Sequence, residues 1–196
     1  MDDSAKLERA RNVALQCIGR NVVNFQKMEA MLKFLIANHK IQGLPDELLR
    51  IKRQNHRNVE RQTMGSLVDK LFHSVITNGI SAEEDQDAAA AEMALTFSVE
   101  LEEAAHSETR EAFGLLVRER NALIHKMLVT FDPNSVQSCL AISRALDKQR
   151  ELLKPHFEYV KNIVKAVLEG HNHFRDLIES GSFEEMLTGP EQGAKN

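Results

Sequence analysis

The chain has 196 residues, 42% hydrophobic and 28% charged, with a formal net charge of −4. That balance suits one soluble domain with a buried core, while a single Tyr and no Trp leave little for an aromatic ligand cage. Cys17 and Cys139 stand far apart with no CxxC pairing, and no run approaches about 18 apolar residues, so disulfide scaffolds, zinc knuckles and membrane spans are not expected.

The N-terminus, MDDSAKLERARN, is charged and lacks the apolar core of a secretory signal, which makes the cytoplasm the expected location. From residue 5 to 38 one long helix is predicted. Leu7, Ala10, Ala14, Cys17, Ile18, Val22, Phe25, Met28, Leu32, Leu35 and Ile36 recur mostly at steps of three and four residues, and Ser4 is placed to cap it. The stretch Lys40–Pro45 ends that helix and begins the next, with Pro45 suited to a first turn. A second helical region runs from Asp46 to about Thr77, bent near Gly65. Its first half is basic, carrying Arg50, Arg53 and Arg57 on one stripe, and its second half is amphipathic.

Residues 81–92 are acidic and Ala-rich and read as a connection or a short exposed helix. Met93–Leu101 alternates apolar with small or polar residues, the period of a half-buried strand, and forms a short extended segment near 94–101 unless it is helical. Ser107 is placed to cap a third long helix that Phe131-Asp132-Pro133-Asn134 stops near Val129. A fourth runs from Ser135 to about Glu169. Gly170 marks a break, and a short helix near Phe174–Ile178 precedes a flexible tail. The expected fold is therefore all-α, an up-and-down bundle of four to five long helices occupying residues 1–180, with a tail at 181–196.

The chemistry concentrates in the third helix, at Arg118-Glu119-Arg120-Asn121-Ala122-Leu123-Ile124-His125. On a wheel of about 100° per residue, Arg120 falls inside the arc formed by Phe113, Leu116, Val117, Leu123 and Ile124. Asn121 and His125 lie together at its edge. A buried guanidinium without partners costs several kcal/mol, so Arg120 calls for a carboxylate, an anion or a polar interface. A salt bridge to a neighbouring helix is the purely structural alternative.

The string Arg120-Asn121-x-x-x-His125, late in a helix and followed by Phe131-Asp132, resembles the motif of HEPN domains. The likeness extends to Thr63–Val68, the alternating 94–101 segment and the long helix after Asp132, and so spans residues 5 to about 168. The resemblance implies a metal-independent endoribonuclease with no cofactor, often a toxin or defence enzyme, acting on RNA at the 2′-hydroxyl and phosphate. It gives His125 the role of general base or acid, Arg120 that of stabilising phosphorane charge, and Asn121 that of orienting group. It further implies a homodimer with both motifs in one cleft, and a cognate antitoxin as a partner. The alternative is a non-catalytic module of the same fold that binds nucleotide, RNA or protein; a third is a structural dimer with Arg120 in a salt bridge.

Arg50, Arg53 and Arg57 are candidates for contacts with RNA phosphates, set against an ordinary solvated face. Arg118 is a further candidate beside the motif. His171-x-His173 has no Cys or paired carboxylates to complete a metal site, so no metal is expected.

Overall fold

The computed structural model describes residues 3–44, 47–79 and 93–180. Helix α1 (Asp3–Asn38) leads into strand β1 (Lys40–Gly43), then α2 (Leu48–Glu60) and α3 (Met64–Lys70). A π-turn at Leu71–Val75 follows, then β2 (Ile76–Thr77), β3 (Met93–Thr96) and β4 (Val99–Glu100). Helix α4 (Glu103–Ala122) passes through a second π-turn (Leu123–Met127) into a last turn, α5 (Leu128–Thr130), and α6 (Val136–Glu179) is the last element among the described residues. Among the described residues the protein is an all-α bundle with two minor strand pairs.

Two long helices form its spine. On α1 the buried side chains Ala10, Ala14, Cys17, Asn21, Phe25, Met28, Leu32 and Leu35 advance by three or four residues, so they form one stripe along the helix. The matching stripe on α6 is Cys139, Ile142, Leu146, Leu153, Val160, Ile163 and Val167. Cross-contacts fix their direction. Arg11 bonds Asn134, Asn21 bonds the carbonyl of Leu146, and the Asn38 carbonyl meets His171, so α1 and α6 run parallel. Helix α4 runs against both: Glu119 meets Gln149 while Phe113 stacks edge-on to His156 and Tyr159. Five alternating helices place the first and last in the same direction.

Several local expectations are corrected. Ser4 lies inside the first turn of α1 rather than capping it, and the first helical turn expected at Pro45 lies outside the described residues. The region 46–77 is not one bent helix. Arg61–Thr63 interrupt it before Gly65, where the Thr63 hydroxyl caps α3 by accepting from Ser66 N at 3.3 Å. Ser107 is likewise interior, since α4 begins at Glu103. Gly170 does not break the last helix, because a glycine lowers helix propensity by only about 1 kcal/mol and α6 continues to Glu179. The acidic stretch 81–92 and the tail 181–196 lie outside the described residues.

Other readings hold. Ser135 caps α6 through Ser138 N at 3.2 Å, after a turn in which Asp132 Oδ1 accepts from Asn134 N at 2.9 Å. The alternating 93–101 segment is extended. Its first half pairs antiparallel with β1 and its second half parallel with β2. Pro155 sits inside α6 on an exposed position, where the carbonyl four residues back can turn to water.

Candidate active site

Leu123 sets the geometry of the Arg120–His125 segment. Its side chain is fully buried, and its carbonyl accepts from Leu128 N, five residues on, rather than from the fourth residue. That wider turn accommodates one extra residue within an otherwise α-helical rod, a local feature frequently found at functional sites. Each residue in it advances by less than the α-helical angle. His125 is thereby carried less far around the axis from Arg120 than an uninterrupted α-helix would carry it.

Arg120 is only half-buried, and Asn121 and His125 are exposed. The central position predicted for Arg120 on the apolar arc is corrected: Phe113, Leu116 and Leu123 enter the core, while Arg120 stands at its margin. Its Nη1 donates to Asn121 Oδ1 at 3.2 Å, and it forms no ion pair among the described residues. No salt bridge from Arg120 to a neighbouring helix of the same chain forms among the described residues. Asn121 holds the guanidinium, not the imidazole, and His125 has no hydrogen-bond partner among the described residues.

Beneath this face lies a polar network not anticipated from the sequence. Gln149 is 3% exposed and donates to Glu119 O and Oε2 at 2.9 and 3.1 Å. Its own Oε1 accepts from Asn21 Nδ2 at 3.0 Å. Asn21 Oδ1 in turn accepts from Arg20, which also bonds Asp147 at 2.8 Å. Three helices are thus cross-linked one residue before Arg120. The signal was available: Asn21 and Gln149 occupy apolar-stripe positions in α1 and α6, where a polar side chain must find partners.

The remaining candidates are dispersed. Arg118 lays its Nη1 over Gly114, about 3.6 Å from where a Cβ there would stand, on the turn that leads away from His125. Arg50 pairs with Glu47 at 2.9 Å. Arg53 and Arg57 line an open depression on α2, whose His56 approaches Asn38 at the far end of α1. Asn21, near the motif, and Asn38 are 17 residues apart on α1, or about 25 Å at ~1.5 Å per residue. The basic stripe and the Arg120–His125 face are separate places.

No protein-family model matches the chain, and no curated protein or solved structure does either. Function rests on the residues themselves.

Elsewhere, His171 Nε2 meets the carbonyl of Asn38 at 3.1 Å, and no group of three His, Cys, Asp or Glu side chains disposed to hold a metal ion occurs among the described residues. No helix among them is long and apolar enough to cross a membrane. Burial pushes His39, His156 and His171 below the ordinary imidazole value, with Lys52 adding to the effect at His171.

Proposed function

We propose that the chain is a metal-independent endoribonuclease of HEPN type. The observation that carries this reading is an Arg with no carboxylate partner among the described residues, bonded to Asn121 at 3.2 Å, on the same solvent-facing helix end as an accessible His125. A guanidinium with no ion pair among the described residues is a ready site for an anion, and a phosphate can take two of its N–H groups at once.

The chemistry follows from those parts. His125 removes the proton from a ribose 2′-hydroxyl as the oxygen attacks the adjacent phosphorus. The phosphorus–oxygen bond to the next nucleotide breaks, leaving a 2′,3′-cyclic phosphate, and the departing 5′-oxygen takes up a proton. Arg120 stabilises the negative charge that builds on the phosphorane oxygens. Asn121 keeps the guanidinium aimed. A second copy of the chain related by a two-fold axis would supply a second His125, so that one acts as base and the other as acid. A toxin role, with an antitoxin covering the same face, is the biological setting this activity suits.

One observation favours the alternative of a binding module without catalysis: nothing among the described residues orients the His125 ring. Incubating purified protein with RNA in EDTA, beside a His125→Ala preparation, separates the two. Cleavage with cyclic-phosphate ends by the parent alone supports the enzyme. Equal RNA retention without cleavage by either protein supports the module.

A further inference from the structure

Some 25 Å along α1 from the motif, on the ~1.5 Å rise per residue, α2 and the last turns of α6 leave a groove of about 330 Å³. Six of its ten lining residues are aliphatic or aromatic (Ile41 from β1, Leu48 and Leu49 from α2, Leu95 from β3, Leu168 and Phe174 from α6), and Lys52, His171, Asn172 and Arg175 complete the wall. Leu49 is 69% exposed and Leu168 45% exposed, so two leucines face each other across solvent rather than entering the core. At Leu49 and Lys52 the groove runs into a second, shallower depression of about 430 Å³ lined by Arg53, His56 and Arg57. Because Leu49 and Lys52 belong to both, the two form one trough, apolar at one end and cationic at the other.

The cationic end is uncompensated. Arg50 is neutralised by Glu47, and Arg175 by Asp176 and Glu179. Lys52, Arg53 and Arg57 have no ion pair among the described residues, so three positive charges crowd six residues of one helix. Like charges at this spacing destabilise a helix modestly, and an anion bound between them would relieve the repulsion. Under the trough, Asn38 is 1% exposed; its Nδ2 lies 3.4 Å from His56, its carbonyl meets His171, and its Oδ1 has no partner among the described residues.

We propose that this trough binds a single-chain aliphatic molecule with a phosphate head. Its chain lies along Leu48, Leu95, Leu168 and Phe174, and its phosphate sits among Lys52, Arg53 and Arg57. The volume is that of an ordinary small-molecule site, predominantly apolar with a few polar groups at one end. A phosphate monoester carries about −1.5 to −2 charges at neutral pH and so matches three cations better than a carboxylate does. An RNA strand would satisfy the cations but leave the leucine-lined half empty, which is why the lipid-like ligand is preferred here. The inference does not depend on the ribonuclease reading.

The test is calorimetric titration of the full chain with dodecyl phosphate below its micelle-forming concentration. Each methylene buried should tighten binding about fourfold, so butyl phosphate should bind at least a hundredfold more weakly and inorganic phosphate not detectably. Dodecanoate should bind about tenfold more weakly than the phosphate. Lys52→Gln with Arg53→Gln should weaken dodecyl phosphate binding tenfold or more. Leu168→Asp, at an exposed position that leaves folding intact by circular dichroism, should abolish the dependence on chain length. Equal affinity for butyl and dodecyl phosphate would overturn the proposal, as would binding unaffected by these variants. So would an RNA oligonucleotide that displaces dodecyl phosphate and itself loses affinity in the Lys52/Arg53 variant, because the trough would then belong to RNA.

Discussion

Gln149 reaches from α6 and donates to both the backbone oxygen and the carboxylate of Glu119, the residue immediately before Arg120. Through Asn21 the same side chain is tied to α1, so the helix that carries Arg120 and His125 is fixed against two others by hydrogen bonds to an almost wholly buried amide. Directional bonds resist rotation of α4 about its axis in a way that apolar packing does not.

Replacing Gln149 by Leu keeps the volume and removes those bonds, leaving Asn21 and Glu119 partly unsatisfied. Loss of such buried partners costs about 2–3 kcal/mol, which for a chain of this size lowers the thermal midpoint by about 4–12 °C. Scanning calorimetry of Gln149→Leu should register that drop, and an unchanged midpoint would mean that the network carries no stability.

Arg120→Lys and His125→Ala should separate chemistry from folding. Arg120 stands at the margin of the core and His125 is exposed, so each variant should keep its helicity and lie within about 0.5 kcal/mol of the parent. His125→Ala should eliminate RNA cleavage in EDTA, and Arg120→Lys, which loses the planar fork, should slow it by about 10²–10³. Sedimentation of the parent should report a particle near twice 22.2 kDa. Cleavage at the parental rate by purified His125→Ala would remove the catalytic role.

The bundle was legible because its stripes are long: about ten turns of α1 repeat one spacing, and no local irregularity can obscure that. The extended segment after Ala94 was legible for the same reason, with a different period. What the spacing hid were deviations one residue wide. Arg120 was placed in the core by a uniform wheel, whereas the π-turn and the real packing leave it at the margin. Thr63 as a cap, in place of Ser4 or Ser107, could not be chosen by residue type, since all three are good caps and only tertiary contacts decide where a helix begins. The basic stripe was visible as charge, but its distance from His125 and its apolar neighbour Leu168, more than a hundred residues later in the chain, were not.

Acid should destabilise the fold through three imidazoles. Burial is the first cause that lowers His39, His156 and His171 from the ordinary value of 6.5, so the folded chain keeps them neutral while the unfolded chain takes up protons. Their contribution is intact above about pH 6.5 and is lost as pH falls below it. The thermal midpoint should therefore decline between about pH 7 and pH 5. His156→Phe preserves an edge-on ring against Phe113 and should make that decline shallower.

A side chain at Gly43 should be strained. Its φ is +153°, a backbone conformation that L side chains rarely adopt, and a Cβ there would stand 2.5 Å from Cδ1 at the flexible end of Ile51. Gly43→Ala should cost about 1–3 kcal/mol, read as a lowered urea midpoint, and adding Ile51→Val should return part of it. Gly79→Ala has φ +77° and open space around the new Cβ; it should show the backbone penalty alone, of about 1 kcal/mol.

The second π-turn makes the Arg-Asn-x-x-x-His spelling an incomplete description of its own geometry. A one-residue deletion at Lys126 would leave every letter of the string in place yet close the wide turn into an ordinary one, swinging the imidazole around the rod while the flanking helix kept its seat. Two chains could thus share the same text and hold it in different shapes. In any chain that carries this string, the length of the segment between Leu123 and Leu128 would then decide where the imidazole points more sharply than the identity of the residues within it.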